Sequence, residues 1–261
     1  MDNFSLAPIG YIKSKLKYRY ETPRQGVLSQ NNFSIIKLKN KMNFNQAIEG
    51  LEGFDRIWVI YIFHLNENWK PKVHPPRHFY KKIGVFATRS PHRPNKIGLS
   101  CVKLEKIEGL NIYISESDIL DGTPIIDIKP YLPYSDSFPE SKTGWVKYNL
   151  NDKFLVNYNE LADKQMEFLY SKFDINLKNF SALQLEFEPV NTDRKRITQI
   201  DGSNYILSYR TWRIYYKVDF ENKIIIINEV RSGYTNDELK DTEKDNYNDK
   251  HIHFNFLNQM F

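Results

Sequence analysis

Short apolar runs separated by turn residues make up the first 135 or so residues of the chain. Residues 56–64 form the clearest run, an unbroken β-branched and aromatic stretch typical of a strand buried on both faces. Many short strands at close spacing favour a small barrel or sandwich. Further strands are predicted over residues 4–13, 33–38, 99–107, 110–115 and 125–128.

The composition changes near residues 139–144. Beyond this point residues 159–173 carry apolar side chains at helical spacing, and the helical region extends over 180–190 until a proline ends it. Residues 205–218 and 223–230 are predicted as two antiparallel strands.

These patterns predict a mainly β fold class with two domains and a tail. A small β-rich domain, a barrel or a sandwich, is expected over residues 1–140 and a smaller α+β domain over residues 141–240. Residues 241–261 are charged and rich in asparagine, so we expect a poorly ordered or partner-dependent tail.

Composition places the chain among globular proteins. Its 261 residues are 41% apolar and 26% charged, which suffices to bury a core and excludes wholesale disorder. The single cysteine, Cys101, excludes an intrachain disulfide framework and a cysteine-rich metal site. His74, His78 and His92 lack neighbouring cysteines or paired carboxylates, so no metal is predicted.

The sequence also bears on location and partners. The start of the chain lacks the features of a signal peptide, and no apolar run approaches the about 18 residues of a membrane helix. We therefore expect a cytoplasmic protein without a membrane partner. The net charge of +5 permits a nucleic-acid partner without requiring one, and 15% aromatic residues can stack on bases.

Unusual polar residues lie in the loops between the predicted strands. His64 ends the apolar run, Arg89 and Arg93 flank S-P-H in a stiff loop, and residues 121–124 form a compact D-G-T-P turn. Polar groups on loops held by a β scaffold are the usual layout of a binding site. Each feature alone is more often structural, and the sequence has no glycine-rich nucleotide motif.

The order and spacing of several stretches identify a family. They are P-I-G-Y-I-K-S from Pro8, T-P-R-Q from Thr22, G-L-E-G-F-D-R-I-W-V from Gly50, F-H from Phe63, P-P-R from Pro75, G-V-F-A-T-R-S-P-H-R-P-N-K-I-G-L-S from Gly84 and L-D-G-T-P-I-I-D-I-K-P-Y-L-P-Y from Leu120. With these stretches, residues 8–134 resemble the TsaA-like family of tRNA methyltransferases.

The resemblance implies an activity, a cofactor and an assembly. Bacterial members of the family N6-methylate N6-threonylcarbamoyladenosine next to the anticodon of certain tRNAs, using S-adenosylmethionine. The family fold is a small β-barrel, so a Rossmann glycine motif is not expected. The family works as a homodimer with the cofactor near the subunit interface, so a homodimer and a tRNA carrying N6-threonylcarbamoyladenosine are the implied partners.

The matched positions imply where the cofactor binds. The first cofactor-binding residues lie in the loop after T-P, the next at the end of the buried strand, and the last in the D-G-T-P turn. The implied cofactor-binding residues are Arg24, Gln25, Gly26, His64, Leu65, Arg89, Leu99, Asp121, Gly122, Thr123 and Pro124.

Asp127, Lys129 and Tyr131 in D-I-K-P-Y are the candidates for catalysis. They occupy alternating positions, so in an extended strand the carboxylate, ammonium and phenol share one face. The acceptor N6 is weakly nucleophilic because its arm carries a carbonyl, and a general base would assist it. The alternative is that the three residues form a structural network beside the site.

Basic residues are the candidates for substrate and tRNA contact, because Lys and Arg neutralise phosphates. In the second domain, E-P-V-N-T-D-R-K-R stands where bacterial relatives often carry D-P-R-P-x-Y, a departure that concerns tRNA selectivity rather than the reaction. Its basic trio is either a tRNA contact or a solvated loop. The candidates are Arg77, Lys81, Lys82, Arg93, Lys96, Arg194, Lys195 and Arg196.

Two other functions stay open on the sequence alone. One is a methyltransferase of the same fold that acts on another RNA or a small acceptor. The other is a non-catalytic regulator that binds S-adenosylmethionine, although the intact D-I-K-P-Y stretch argues mildly against it.

Overall fold

The structure is a computed structural model and describes residues 5–22, 26, 32–40, 42–75, 81–146, 153–193, 195–241 and 243–261. The chain forms two compact units, Met1–Thr143 and Gly144–Phe261. Within the described ranges, no helix is both long enough and apolar enough to span a bilayer.

The first unit is a closed antiparallel barrel of six strands, which confirms the mainly β class and the predicted barrel. Two single-turn helices, α1 (Phe44–Ala47) and α2 (Pro133–Asp136), flank it. The strands of the unit are β1 (Gly10–Ser14), β2 (Ser34–Leu38), β3 (Arg56–Ile62), β4 (Lys72–Val73), β5 (Ile83–Gly84), β6 (Ile97–Glu108), β7 (Asn111–Ser115) and β8 (Pro124–Pro130). The barrel closes in the order β1-β2-β7-β6-β3-β8, and β4 pairs with β5 in the β3–β6 connection.

Alternation along β3 shows how the barrel is packed. Ile57, Val59 and Tyr61 point into the buried core, whereas Trp58 and the other alternate residues are only partly buried. The prediction of burial on both faces is therefore wrong. A barrel buries alternate side chains of each strand, and the outer face of β3 is left for other contacts.

The second unit is a five-stranded sheet with helices, ordered β10-β11-β12-β13-β9. Its β9 (Leu155–Tyr158) runs parallel to β13 (Ile224–Ser232), and the remaining pairs are antiparallel. The predicted strand over 205–218 is two strands, because Arg210 adopts a positive φ of 50° and turns the chain. The other strands are β10 (Ile197–Asp201), β11 (Asn204–Tyr209) and β12 (Trp212–Asp219).

The helices of the second unit follow local signals. The predicted first helix is confirmed as α3 (Glu160–Phe173), which begins where the Asn159 side chain accepts from the Ala162 amide at 2.8 Å. The second, α4 (Leu177–Leu185), ends before Pro189. The remaining helices are α5 (Asn236–Lys240) and α6 (Lys250–Leu257).

The expected poorly ordered tail is instead part of the second unit. His253 of α6 is fully buried and stacks on Trp212 with ring centroids 3.7 Å apart, and Phe256 lies 5.1 Å from the same indole. Asp249 accepts hydrogen bonds from Thr211 at 2.5 Å and from Tyr234 at 2.9 Å. The prediction failed because residues 241–261 are charged overall, although α6 has a short apolar face. That face is buried only when it packs on the sheet.

Candidate active site

A cavity of about 940 Å³ lies in the barrel unit. Its wall includes residues from the segments 63–66, 88–93 and 118–123, which connect different strands. These segments meet because β3 runs antiparallel to both β6 and β8, so its end lies beside their beginnings. The barrel closure thus brings loops that are distant in sequence to one end of the sheet.

Most of the predicted cofactor residues that the structure describes lie on this wall. Arg24 and Gln25 fall outside the described residues. Gly26 packs on the 116–118 backbone, and an added Cβ would come within 2.9 Å of the Glu116 carbonyl carbon and closer still to its oxygen. The predicted residues that line the cavity are Gly26, His64, Leu65, Arg89, Leu99 and Thr123.

The D-G-T-P turn reaches the cavity through Thr123, while Asp121, Gly122 and Pro124 are not part of the described lining. The Asp121 carboxylate accepts from the Ser14 amide at 2.8 Å, and the Gly122 amide donates to the Ile12 carbonyl at 3.0 Å. Hence these residues tie the turn to β1.

His64 lies just beyond the end of β3, in a turn. Its Nδ1 is 3.4 Å from the Thr123 hydroxyl. Burial and the positive charge of Arg19 lower the pKa of His64, so the imidazole is neutral at pH 7. The site therefore presents a neutral ring rather than a further cation at this position.

The loop that carries Arg89 is held by its neighbours. The buried Asn66 amide donates to the Pro91 carbonyl at 2.6 Å, which links this loop to the end of β3. The Arg93 guanidinium donates to the carbonyls of Thr88 at 2.8 Å and Val85 at 3.2 Å. Arg93 was predicted as a substrate contact. It lines the cavity, and its described hydrogen bonds fix the loop.

The three candidate catalytic residues share the outer face of the barrel. The register pairs Lys129 with Trp58 and Asp127 with Ile60. Asp127 and Lys129 form an exposed ion pair of 2.9 Å outside the described cavity lining. Tyr131 does line the cavity, with its ring centroid 5.8 Å from that of Trp58.

The remaining basic candidates do not line the cavity in the part of the chain that the structure describes. Lys81, Lys82 and Arg196 are exposed, whereas Lys96 is half-buried. Arg77 and Arg194 fall outside the described residues.

Lys195, predicted to contact tRNA, is instead engaged within its own unit. Its ammonium donates to the backbone carbonyls of Gln184, Phe187 and Glu188, the last at 3.0 Å. The end of a helix leaves carbonyls without intrahelical partners, and a lysine satisfies them. A basic trio in the sequence does not show which ammonium faces inward, so the tRNA role of Lys195 stays a prediction.

A polar and aromatic group that the sequence did not predict lies at the β3–β8 side of the cavity. The Arg56 guanidinium donates to Glu116 at 2.7 Å, which raises the pKa of Arg56. The Trp58 indole donates to the Asp136 carboxylate at 2.8 Å. The alternation of side chains along β3 could have indicated both contacts, because it places Arg56 and Trp58 on the outer face.

A hydrogen-bonded chain of three side chains was also missed. Ser100 donates to the Asp118 carboxylate at 2.6 Å, and the Tyr61 hydroxyl lies 3.2 Å from the Ser100 hydroxyl. Burial raises the pKa of Asp118 above that of an ordinary aspartate, although the Ser100 hydrogen bond and the charge of Arg89 oppose this shift. All three residues of the chain line the cavity.

The charge of the wall is predominantly positive. Among the residues described, four arginines and two aspartates line the cavity. The same part of the chain holds no cluster of three His, Cys, Asp or Glu side chains that could bind a metal ion. Guanidinium groups bind carboxylates and phosphates with bidentate geometry, so the wall suits an anionic ligand.

Comparisons with known proteins agree with the motifs. Residues 11–137 match the domain model of the tRNA-methyltransferase O N-terminal domain. A mouse tRNA (adenine(37)-N6)-methyltransferase is 45% identical over 139 residues, which cover 52% of this chain and 32% of that protein. A putative S-adenosylmethionine-dependent methyltransferase of Pseudomonas aeruginosa is 44% identical over 140 residues, or 58% of its length. The chain therefore spans about a third of the mouse relative and about three fifths of the Pseudomonas aeruginosa one.

Two further comparisons extend over more of the molecule. The tRNA (adenine(37)-N6)-methyltransferase of Escherichia coli is 33% identical over 180 residues, which cover 66% of this chain and 77% of the relative. The crystal structure of TrmO from Pseudomonas aeruginosa superposes with a TM-score of 0.66 at 27% identity, covering 88% of this chain and 99% of that one. The chain thus belongs to the TsaA-like family, the family of tRNA-methyltransferase O.

Proposed function

We propose that the chain methylates N6 of the adenosine at position 37 of tRNA, with S-adenosylmethionine as donor and N6-threonylcarbamoyladenosine as acceptor. The names of the mouse and Escherichia coli relatives support N6-methylation of adenine 37. The observation that carries the proposal is the convergence on one cavity of four residues from separate family motifs: Gly26, His64, Arg89 and Thr123.

The residues of the wall fit S-adenosylmethionine. Arg89 suits its carboxylate, and the exposed side chains of Leu65 and Leu99 offer apolar surface for its adenine ring. His64 is neutral, so it does not repel a sulfonium. When bound, the donor supplies an electrophilic methyl carbon, and the wall orients it toward the acceptor.

The acceptor fits the side of the cavity that holds Trp58 and Tyr131. Their rings lie in contact, and the Asp136 carboxylate fixes the Trp58 indole. Aromatic side chains stack on bases that are unpaired in RNA loops, and such stacking contributes about 1–3 kcal/mol per base. Arg56, on the same outer face, suits the carboxylate of a threonylcarbamoyl arm.

The proposal includes a homodimer located where tRNA resides, the cytoplasm. Leu65, Ile97 and Leu99 are exposed hydrophobic residues on the cavity wall, which gives a second copy an apolar surface to cover. Sedimentation of the purified protein should give twice the chain mass. A Leu99→Glu variant should shift it to the monomer, and a monomeric wild-type protein would contradict the assembly.

The reaction is tested with purified protein, S-adenosylmethionine and tRNA that carries N6-threonylcarbamoyladenosine. Nucleoside mass spectrometry should find this nucleoside one methyl group heavier, while the same tRNA made without the modification should gain no methyl group. Transfer to the unmodified tRNA or to another RNA would favour the second candidate activity. Binding of the donor by calorimetry without transfer to any tRNA would favour a regulator.

A further inference from the structure

The proposed reaction leaves a proton to be accounted for. N6 of the acceptor carries one hydrogen, and the atom bears a carbonyl on its arm, so its lone pair is weakly nucleophilic. Transfer of that proton to a positioned base in the transition state typically contributes about 10²–10⁴-fold in rate. The base must lie on the cavity wall, within hydrogen-bond reach of the acceptor.

Several described groups on the wall are poor candidates. Asp136 is exposed, and its pKa is lowered by hydrogen bonds from the Leu132 amide and the Trp58 indole, which makes it a weak base. Burial raises the pKa of the Cys101 thiol and of the Tyr61 phenol, so both stay protonated near pH 7. Burial lowers the pKa of His64, and this ring lies beside Thr123 of the predicted cofactor turn.

Asp118 is both oriented on the cavity wall and more basic than an exposed aspartate. It lines the cavity, and Ser100 binds its Oδ1 at 2.6 Å, so the carboxylate is held in one orientation. Tyr61 of β3 and Ser100 of β6 support it from neighbouring strands, and the charge of Arg89 in the 88–93 loop acts on it. Its raised pKa makes the carboxylate a stronger base than an exposed aspartate.

We propose that Asp118 accepts the N6 proton of the acceptor nucleotide during methyl transfer, an inference that rests on the proposed function. The N6 lone pair forms a bond to the methyl carbon while the carbon–sulfur bond breaks and its electron pair goes to sulfur. The N6 proton passes to the Asp118 carboxylate. Water then takes the proton and restores the carboxylate for the next turnover.

The first test compares Asp118→Asn with the matched control Asp55→Asn, an exposed aspartate of the same unit. Asparagine keeps the size and the oxygen that accepts from Ser100, but it cannot take a proton. We expect kcat to fall about 10²-fold or more for Asp118→Asn, with donor and tRNA dissociation constants within about threefold of wild type. The control should keep the wild-type kcat.

The second test measures pH dependence, which a purely structural role would not change. In the wild type, kcat/KM should rise with pH through the raised pKa of Asp118, because only the carboxylate accepts a proton. Ser100→Ala removes a hydrogen bond that favours the charged form, so this rise should move to higher pH. The residual activity of Asp118→Asn should lack the rise.

A third measurement does not depend on activity or on folding of the Asn variant. Carbon-13 NMR of wild-type protein labelled at aspartate carboxyls should contain a carboxyl that titrates above the ordinary range and moves in Ser100→Ala. Absence of such a signal overturns the inference. So does an Asp118→Asn enzyme with near wild-type kcat, or one that loses donor affinity in proportion to kcat. If the wild type transfers no methyl group, the proposed function itself fails.

Discussion

Gly98 lies directly under the ring of Tyr61, and this contact gives the sharpest packing prediction. The two residues are paired in the β3–β6 register. A Cβ added at Gly98 would stand 2.9 Å from Cδ2 of the ring and closer still to Cε2 and Cζ. Ordinary carbon–carbon contacts are about 3.5–4.0 Å, so the ring would have to retreat by more than about 1 Å.

The ring has little room to retreat. Tyr61 is only 6% exposed, packs edge-on against Phe63 with centroids 5.3 Å apart, and shares a hydrogen bond with Ser100. Overpacking a core costs about 1–3 kcal/mol, and a lost hydrogen bond about 0.5–1.5 kcal/mol. Gly98→Ala should therefore lower the free energy of unfolding by about 2–4 kcal/mol. It should also lower kcat, because Ser100 positions Asp118.

Urea unfolding followed by fluorescence measures this change, since Trp58 and Trp69 report on the barrel unit. Gly53→Ala is the matched control: nothing lies within 4 Å of its added Cβ. That variant should be unchanged or about 0.4–1 kcal/mol more stable, because alanine restricts the unfolded chain. If both variants unfold at the same urea concentration, the buried ring does not limit the space at Gly98 and the packing argument fails.

Three further predictions concern other parts of the molecule. Phe256→Ala should lower the free energy of unfolding by about 3–5 kcal/mol, because the ring is 4% exposed, whereas Phe254→Ala, 45% exposed, should change it by less than about 0.5 kcal/mol in urea titrations. Lys195→Met should destabilise the protein by about 1–3 kcal/mol while leaving the tRNA dissociation constant unchanged, as measured by filter binding. Burial raises the folded-state pKa of Asp118. The stability that the protonated Asp118 contributes is therefore present below the ordinary aspartate range and is lost as pH rises through the folded-state pKa. Asp118→Asn should gain stability over wild type between acid and neutral pH in urea titrations. Equal pH dependence in both proteins would contradict that assignment.

Local signals in the sequence were sufficient for much of the architecture. Short apolar runs separated by turn residues favoured a barrel or a sandwich, and helical spacing predicted α3, because both patterns depend on neighbours within a few residues. The family motifs placed Gly26, His64 and Arg89 in one site, and the structure brings these residues to one cavity. Their binding and catalytic roles stay predictions.

Other features depend on which strands become neighbours. The Tyr61–Ser100–Asp118 chain exists because β3 pairs with β6 in one register, and no local pattern specifies a register between segments about 40 residues apart. The burial of α6 against Trp212 likewise depends on a sheet whose strands lie in a preceding part of the sequence.

The amino-acid sequence alone therefore determined the strand content, the family and the loops that carry its polar motifs, since these are written in short stretches of residues. Only the tertiary structure decided which side chains face the cavity, which ammonium binds the carbonyls at a helix end, and how the half-buried Asp118 carboxylate is held. Those outcomes arise from contacts between residues far apart in the chain, and the energy of such contacts is defined only once the barrel and the sheet have formed.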